Sequence, residues 1–363
     1  MKLEKLNYFE NENNNECWTI ENLIFGNFNL IVGNNAVGKT RMWRVLQHLA
    51  EYLAGEAKML LEGRWDLSFK LNNTTMKYEL EILKGEIKHE RIYLGKEKRL
   101  DREKDKGKIF SAINKNMVDF HPPIDKLTVQ VRRDKKDYPY IEELYLWGSN
   151  YAGYSFSETL SSLYILIHNI DKKLLSKTMA VTPYVLDDYL SKEKVDIIIA
   201  DMKMIGYKLD DIAVEKHKYA DAKSIILKES DLLCKTVQNN MSSGMYRAFS
   251  AVVILNYLST FDNSITIAID DIGEGLDYDR TLRLIKLIYD KFKNTNLQLI
   301  LTSNNRYALN AVDVRHWNIL ERKGHHVRAY NYKNSKKEFD EFRTIGLSNV
   351  ELYTEKMYRI NEG

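Results

Sequence analysis

Apolar residues in the first third of the chain follow the alternation typical of β-strands, with one helical interruption. The segments Leu3–Phe9 and Trp18–Ile20 flank an Asn-rich turn, and Phe28–Val32 is an apolar run that predicts a buried strand. After a short glycine-containing stretch, apolar residues recur at helical spacing and predict a helix that ends near Leu53. The order is therefore strand, loop and helix.

A second region, Trp65–Ile109, has apolar residues at every other position, separated by turn-forming Asn and Gly residues. This period of two predicts an antiparallel meander. Within it, Lys96–Lys108 is a charge run of mixed sign. A solvated hairpin is the favoured interpretation, and a loop that contacts DNA is the alternative.

The spacing of apolar residues changes twice more in the rest of the chain. All four prolines lie between Pro122 and Pro183, and residues 155–240 then show mostly helical spacing without sustained heptads. Beyond them, the apolar runs Ile265–Ile269 and Leu297–Leu301 enclose an amphipathic helix, which predicts a parallel sheet with packed helices. The stretch Trp317–Tyr332 predicts a hairpin.

These patterns predict a division of the chain into regions. Residues 1–150 and 235–335 together form the expected core, with residues 65–132 as its β subdomain. Residues 155–235 form an inserted helical lobe, and residues 336–363 a C-terminal tail.

Composition narrows the function classes only slightly. Lys and Arg number 54 against 51 Asp and Glu, and a net charge of +3 gives no global argument for a nucleic-acid partner. Two cysteines, Cys17 and Cys234, do not make a disulfide framework. No apolar run reaches membrane-spanning length, and Met1–Lys5 lacks the core of a signal peptide. We expect a cytoplasmic protein with no membrane partner.

The loop between the third strand and the first helix carries the clearest chemistry. Its sequence fits the phosphate-binding pattern G-x-x-x-x-G-K-[ST] in the required strand–loop–helix context, with the residues Gly33, Asn34, Asn35, Ala36, Val37, Gly38, Lys39 and Thr40. The loop amides and the helix N-terminus would bind phosphate oxygens. Lys39 would reach the β- and γ-phosphates and Thr40 would bind Mg²⁺. We include Arg41, the next residue, among the nucleotide-binding residues.

Two further segments are candidates for the same site. Asp270 and Asp271 end a predicted buried strand, where a phosphate-loop ATPase places a metal-binding acid and an acid that orients water. Ser242, Ser243 and Gly244 open another predicted helix. They could form a second anion site, although an ordinary helix cap is the alternative.

The order of these motifs resembles ABC-class ATPase domains of the Rad50/SMC/RecF group and the overcoming-lysogenisation-defect-like ATPases. The resemblance covers about residues 1–60 and 235–335 and includes Gly275–Asp277, just after the acids. It implies an α/β P-loop NTPase fold, an ABC ATPase head with an antiparallel β subdomain and a helical lobe. It also implies ATP and Mg²⁺ as cofactors and a homodimer or higher homo-oligomer. In that family Ser242–Gly244 would meet a γ-phosphate held by a second copy.

Two positions depart from the family pattern. Asp271 stands where the family usually has Glu, and Asn304 where it often has His after the next strand. Asp is one methylene shorter, and Asn cannot carry a proton, although it can sense a γ-phosphate by hydrogen bonding. Both changes favour slow turnover. Gln130 is a candidate for the glutamine that links metal to the helical lobe, but its alternating surroundings favour an ordinary strand residue.

The resemblance implies several biological roles. Compact ATPases of this family often serve as sensor subunits of bacterial antiphage systems and work with a separate nuclease or toxin, which makes an effector protein the expected partner. A DNA-repair or chromosome-maintenance ATPase, with DNA as a ligand, is one alternative. An ATP-locked scaffold with little turnover is another.

Overall fold

The computed structural model describes residues 1–12, 15–57, 59–157, 177–216, 222–303 and 305–359. The chain divides into two compact units. Unit 1 comprises Met1–Tyr151, Arg315–Ile345 and Lys356–Gly363, and unit 2 comprises Ala152–Val314 and Gly346–Glu355.

The described residues contain seventeen β-strands. In chain order they are β1 (Lys2–Glu10), β2 (Trp18–Ile24), β3 (Phe28–Val32), β4 (Gly63–Leu71), β5 (Thr74–Leu83), β6 (Glu86–Leu94), β7 (Glu97–Glu103), β8 (Lys106–Ser111), β9 (Asn116–Phe120), β10 (Tyr151–Ser155), β11 (Leu209–Lys216), β12 (Lys223–Glu229), β13 (Thr236–Val237), β14 (Thr266–Asp270), β15 (Gln298–Ser303), β16 (Trp317–Lys323) and β17 (His326–Asn331).

The same residues contain nine α-helices and several short 3₁₀ turns. The helices are α1 (Lys39–Ala54), α2 (Thr128–Val131), α3 (Pro139–Ser149), α4 (Thr182–Tyr189), α5 (Lys192–Ile205), α6 (Ser243–Leu258), α7 (Tyr278–Phe292), α8 (Lys336–Ile345) and α9 (Asn349–Thr354). In the described part of the chain, no helix combines the length and the apolar character that crossing a bilayer requires.

Unit 1 is built on a run of hydrogen-bonded strands in the order β3, β16, β17, β2, β1, β4, β5, β6, β7, β8 and β9. Strand β16 is parallel to β3 and β17 is parallel to β2, whereas β4 to β9 form an antiparallel meander. The predicted meander, the predicted hairpin and the strand–loop–helix order are all confirmed. Every residue of β3 is buried.

Helices α1 and α3 approach each other closely in unit 1. A Cβ atom on Gly148 of α3 would lie 2.7 Å from the carbonyl oxygen of Ala50 and 2.8 Å from Cβ of Leu53. Only glycine leaves room for the two backbones at this separation. The contact holds α1, which follows the phosphate-binding loop, against the rest of the unit.

Unit 2 contains a second group of strands, ordered β10, β14 and β15. Strands β14 and β15 are parallel, with Ile269 opposite Leu301, and both are buried along their whole length. The apolar run of each strand and the amphipathic helix α7 between them match the prediction of a parallel α/β arrangement.

The prediction of a mostly helical segment at residues 155–235 is only partly correct. Helices α4 and α5 are present, but β11, β12 and β13 form a three-stranded antiparallel sheet. The reason lies in Ser224–Leu227, four consecutive buried residues of β12, because periodicity cannot distinguish a short buried strand from helix. The helical spacing predicted at 158–176 lies outside the described residues. The proposed division into core, lobe and tail stays a prediction.

Gln130 is also not the strand residue that its surroundings favoured, because it lies in the short helix α2. Its Oε1 accepts a hydrogen bond from the backbone N–H of Leu127, and its Nε2 donates to the carbonyl of Tyr52 at 3.2 Å. A capping interaction at the start of α2 thus overrides the local alternation.

An ion pair is buried inside the β meander of unit 1. Arg102 on β7 and Glu90 on β6 are 0 % and 1 % exposed, and Nη1 of Arg102 donates to Glu90 at 3.1 Å. Three backbone carbonyls also accept hydrogen bonds from Arg102. Glu90 in turn accepts from the hydroxyls of Tyr78 and Thr128, so each charge has several hydrogen-bond partners. The pair thereby ties the meander to α2.

We predict that Arg102→Met destabilises the protein by about 3–5 kcal/mol, because it leaves Glu90 charged and buried without its partner. The matched control is Arg91→Met, which removes a half-exposed arginine that pairs with Asp101 on the same sheet. Exposed pairs contribute ~1 kcal/mol or less. Urea unfolding of both variants checks this, and equal losses would contradict the role of the buried pair.

Candidate functional site

The loop between β3 and α1 has the backbone that a phosphate cradle needs. Ala36 and Gly38 have φ angles of 62° and 112°, in the left-handed region that occurs in the anion-binding nests formed by backbone N–H groups. A Cβ on Gly33 would lie 2.7 Å from Cγ1 of Val37, so only glycine fits there. The loop then enters α1 with Gly38 as its N-cap, and no side chain caps the helix. Such a helix start favours a bound anion.

Lys39 occupies the inside of this loop. It is only 4 % exposed, and its Nζ donates to the carbonyls of Gly33 at 2.7 Å and Asn34 at 3.0 Å. The ammonium group therefore lies among the loop atoms, and a lysine ammonium is a donor that forms charge-assisted hydrogen bonds with phosphate oxygens.

Residues of strands β2 and β16 in unit 1 contact the loop. A Cβ on Gly38 would meet the ring of Trp18 at 2.8 Å, and one on Gly33 would meet the carbonyl of Leu320 at 3.0 Å. Arg322 on β16 donates to the carbonyl of Ala36 at 3.2 Å. These contacts hold the loop in its wrapped conformation.

The two residues after the lysine differ in their surroundings. Thr40 is half-buried in the first turn of α1. Arg41 lies with its guanidinium 4.5 Å from the Trp18 ring centre and forms an ion pair with Glu10 at 3.0 Å. Arg41 is thus engaged with the β1–β2 hairpin next to the loop.

In unit 2, β14 ends at Asp270, which is 1 % exposed. Its Oδ1 accepts a hydrogen bond from the hydroxyl of Thr302 at 2.6 Å. Thr302 belongs to β15, and the register that pairs Ile269 with Leu301 places it beside Asp270. A buried carboxylate with a bonded hydroxyl is a set of oxygen donors that suits Mg²⁺.

Asp271 follows in the left-handed region, with φ at 52°. Its backbone N–H donates to the same Thr302 hydroxyl at 2.9 Å, and its Oδ2 accepts from the hydroxyl of Ser157 at 3.2 Å. The two predicted acids are therefore adjacent and share one supporting hydroxyl.

The predicted serine–glycine segment begins α6. Ser242 is the N-cap, and its Oγ accepts from the N–H of Met245 at 3.2 Å. The alternative interpretation of a helix cap is thus true of Ser242. Ser243 and Gly244 form the first turn, where backbone N–H groups lack intrahelical partners.

Gly244 brings this helix tip against the Gly275–Asp277 turn. A Cβ on Gly244 would lie 2.3 Å from the carbonyl oxygen of Gly275. Arg247, one turn further on, donates to the carbonyl of Glu274 at 3.2 Å. Asp277 caps α7 by accepting from the N–H of Arg280 at 2.9 Å. The structure thus joins two segments that the sequence linked only by resemblance.

Several residues that support the site were not predicted from the sequence. Thr302 was visible only as a hydroxyl residue after an apolar run, and the register of β14 with β15 was needed to place it. Arg322 and Arg247 carried no motif signal. Asn304, the predicted γ-phosphate sensor, lies outside the described residues.

The side chains present fit ATP and Mg²⁺ by their chemistry. The glycine cradle with its inward lysine suits a polyphosphate, and the Thr40 hydroxyl and the Asp270 carboxylate are oxygen donors of the kind that Mg²⁺ prefers. Among the described residues, no group of three His, Cys, Asp or Glu could hold a metal alone. Magnesium in phosphate-loop sites takes several of its ligands from phosphates and water.

We predict that Gly244→Ala destabilises the protein by about 1–3 kcal/mol, because the added methyl overlaps the Gly275 backbone. The better helix propensity of alanine offsets at most about 1 kcal/mol of this. The control is Gly26→Ala, where the nearest atom would lie at 3.9 Å. Thermal unfolding compares the two, and an unchanged or raised melting temperature for Gly244→Ala would contradict the tight contact.

Comparison with known proteins identifies the fold. No protein-family model matches the chain, and no curated protein matches it by sequence. Among solved structures, an SMC head bound to the C-terminal winged-helix domain of ScpA aligns with a TM-score of 0.50 at 11% identity, over 91% of this chain and 97% of that one.

A second solved structure gives the same result. The Pyrococcus furiosus Smc head with an extended coiled coil, bound to the C-terminal domain of ScpA, aligns with a TM-score of 0.50 at 11% identity, over 94% of this chain and 99% of that one. The alignments span nearly the whole chain. The protein therefore has the fold of SMC head domains, which is the P-loop fold of ABC-class ATPases.

Proposed function

We propose that this protein is a Mg²⁺-dependent ABC-type ATPase that binds and slowly hydrolyses ATP. The observation that carries the proposal is the loop geometry: Lys39 is held within the wrapped backbone by the carbonyls of Gly33 and Asn34. A wrapped glycine loop that encloses an ammonium group suits the β- and γ-phosphates of a nucleotide.

Four further residues have proposed roles at this site. Thr40 and Asp270 supply oxygen ligands to Mg²⁺, which neutralises phosphate charge when it is bound. Asp271 orients the attacking water and accepts its proton as the bond to the leaving ADP breaks. Asn304 senses the γ-phosphate. Because Asp271 is shorter than the usual Glu, we expect slow turnover.

We further propose that ATP joins two copies of the chain. Ser243 and Gly244 present the unpaired N–H groups of a helix start, braced by the Gly275 turn. A second copy's γ-phosphate is a suitable anion for this helix tip. Nucleotide would then gate the dimer: binding closes it, and hydrolysis releases it.

The proposed biological role is a sensor or regulatory ATPase of an antiphage system that acts with a separate nuclease or toxin. The motif resemblance supports this role. The alternative is a chromosome-maintenance or repair ATPase, with which the SMC-head fold is compatible. Stimulation of hydrolysis by DNA would support the alternative, as would replication genes beside this one. A neighbouring nuclease or toxin gene would support the defence role.

We predict that Lys39→Ala weakens metal-free ATP binding about 10- to 100-fold, the loss expected for a charge-assisted contact. Isothermal titration with EDTA measures this binding.

We predict that Thr40→Ala leaves metal-free ATP binding within about threefold but reduces Mg²⁺-dependent hydrolysis at least about tenfold. Thr40→Ser keeps the hydroxyl and is the control. Isothermal titration with EDTA and phosphate release with Mg²⁺ measure the two quantities. Equal loss of both in Thr40→Ala would exclude its metal role.

We predict that Asp271→Asn binds ATP like the native chain but hydrolyses it at least about 100-fold more slowly, because the amide cannot accept a proton. The variant should accumulate as an ATP-dependent dimer, visible by light scattering after size-exclusion chromatography. Equal near-zero hydrolysis by the native protein and the variant would instead favour the ATP-locked scaffold.

A further inference from the structure

We propose that Thr302 is the positioning residue of the acid pair, and that its single hydroxyl couples metal binding at Asp270 to water activation at Asp271. The inference rests on the proposed ATPase function and deepens it. Thr302 itself does not touch the reacting atoms; it acts through the two acids.

The hydrogen-bond geometry assigns this role. The Thr302 hydroxyl donates its one proton to Oδ1 of Asp270 at 2.6 Å and accepts from the backbone N–H of Asp271 at 2.9 Å. A hydroxyl offers one donor and two acceptor positions, so it can serve both partners at once. The donated bond sets the orientation of the Asp270 carboxylate, and the accepted bond sets the backbone that carries Asp271.

Burial makes the arrangement rigid. Thr302 is 0 % exposed and Asp270 is 1 % exposed, so solvent has little access to replace either bond. A hydrogen bond to a buried carboxylate is stronger than one at the surface, and an unmet polar group there is costly. Loss of the hydroxyl would therefore remove one hydrogen bond from the Asp270 carboxylate and one from the backbone N–H of Asp271.

Asp271 depends on this support more than an ordinary residue would. Its φ of 52° lies in the left-handed region, which a non-glycine residue adopts only when its surroundings stabilise it. The N–H of the next residue, Ile272, also bonds to Thr302, through the carbonyl at 2.8 Å. Thr302 therefore accepts hydrogen bonds from the backbone N–H of Asp271 and from that of the residue after it. The short reach of an aspartate makes its backbone position the main control over where its carboxylate points.

The contact also explains why one substitution should change two steps. A shift in Asp270 alters the affinity for the metal, whereas a shift in Asp271 alters the chemical step. The carbonyls that hold Lys39 and the Arg322 contact to Ala36 belong to unit 1, and we expect neither shift to change them. Metal-free ATP binding should be spared.

The test compares Thr302→Val, Thr302→Ser and Thr266→Val. Valine has the shape of threonine without the hydroxyl, and serine keeps the hydroxyl. Thr266 is the matched control, because it is also a buried threonine, at the other end of β14, and its hydroxyl bonds to Gln298 rather than to an acid. Three quantities are measured: Mn²⁺ affinity of the ATP-bound protein by electron paramagnetic resonance, ATP affinity in EDTA, and kcat with KM.

For Thr302→Val we expect Mn²⁺ affinity to fall about tenfold and kcat to fall about 10- to 100-fold. Its KM and its ATP affinity in EDTA should stay within about twofold. Thr302→Ser should restore Mn²⁺ affinity and kcat to within about threefold of the native values. Thr266→Val should lower the melting temperature and leave all three quantities unchanged.

The inference is overturned if Thr302→Val behaves like Thr266→Val, if the serine variant is as impaired as the valine variant, or if ATP affinity in EDTA falls as much as Mn²⁺ affinity. A native chain that hydrolyses ATP while the valine variant retains full activity removes the inference and leaves the proposed function standing. A native chain that binds neither ATP nor Mn²⁺ with ATP overturns both.

Discussion

The wrapped backbone of Gly33–Lys39 is the constraint on which the proposed site depends. Two positive φ angles, at Ala36 and Gly38, bend the chain tightly enough for its own carbonyls to hold the Lys39 ammonium. The loop follows the buried strand β3 and leads directly into α1. Without this bend, Lys39 would not lie inside the loop, and the loop amides could not form an anion-binding nest at the start of the helix.

The acid pair of unit 2, Asp270 and Asp271, is also positioned by backbone geometry. Strand β14 is wholly buried and ends in a carboxylate, and a charge so placed needs a hydrogen-bonding partner. The hydroxyl of Thr302 provides that bond because parallel pairing brings the ends of β14 and β15 to the same edge. A buried strand that ends at a polar residue therefore places that residue at the edge of the sheet where ligands bind in parallel α/β folds.

The sequence was most informative where a local pattern and a local structure coincide. The strand before the glycine loop, helix α1 and strand β14 each carry their own periodicity and end signals, so their types were predictable. The three-stranded sheet of β11 to β13 was not, because four consecutive buried residues in β12 fit a helix equally well.

Side-chain partnerships were harder still to predict. Arg322 bonds to Ala36 across 286 residues, and Thr302 meets Asp270 across 32. Such contacts depend on strand order and register, which one sequence does not disclose. The overlap of Gly244 with the Gly275 turn likewise appears only when backbone positions are known. The motifs therefore identified the predicted site residues, and the structure supplied the residues that position them.

The central claim is that one copy's glycine loop and a second copy's Ser242–Gly244 helix tip enclose the same triphosphate. A crystal structure with Mg²⁺ and a nonhydrolysable ATP analogue tests this most directly. We expect the γ-phosphate within hydrogen-bonding distance of Lys39 and of the backbone N–H groups of Ser243 or Gly244 from another copy. Nucleotide bound at the loop, with that helix tip turned away from every γ-phosphate in all copies, would contradict it.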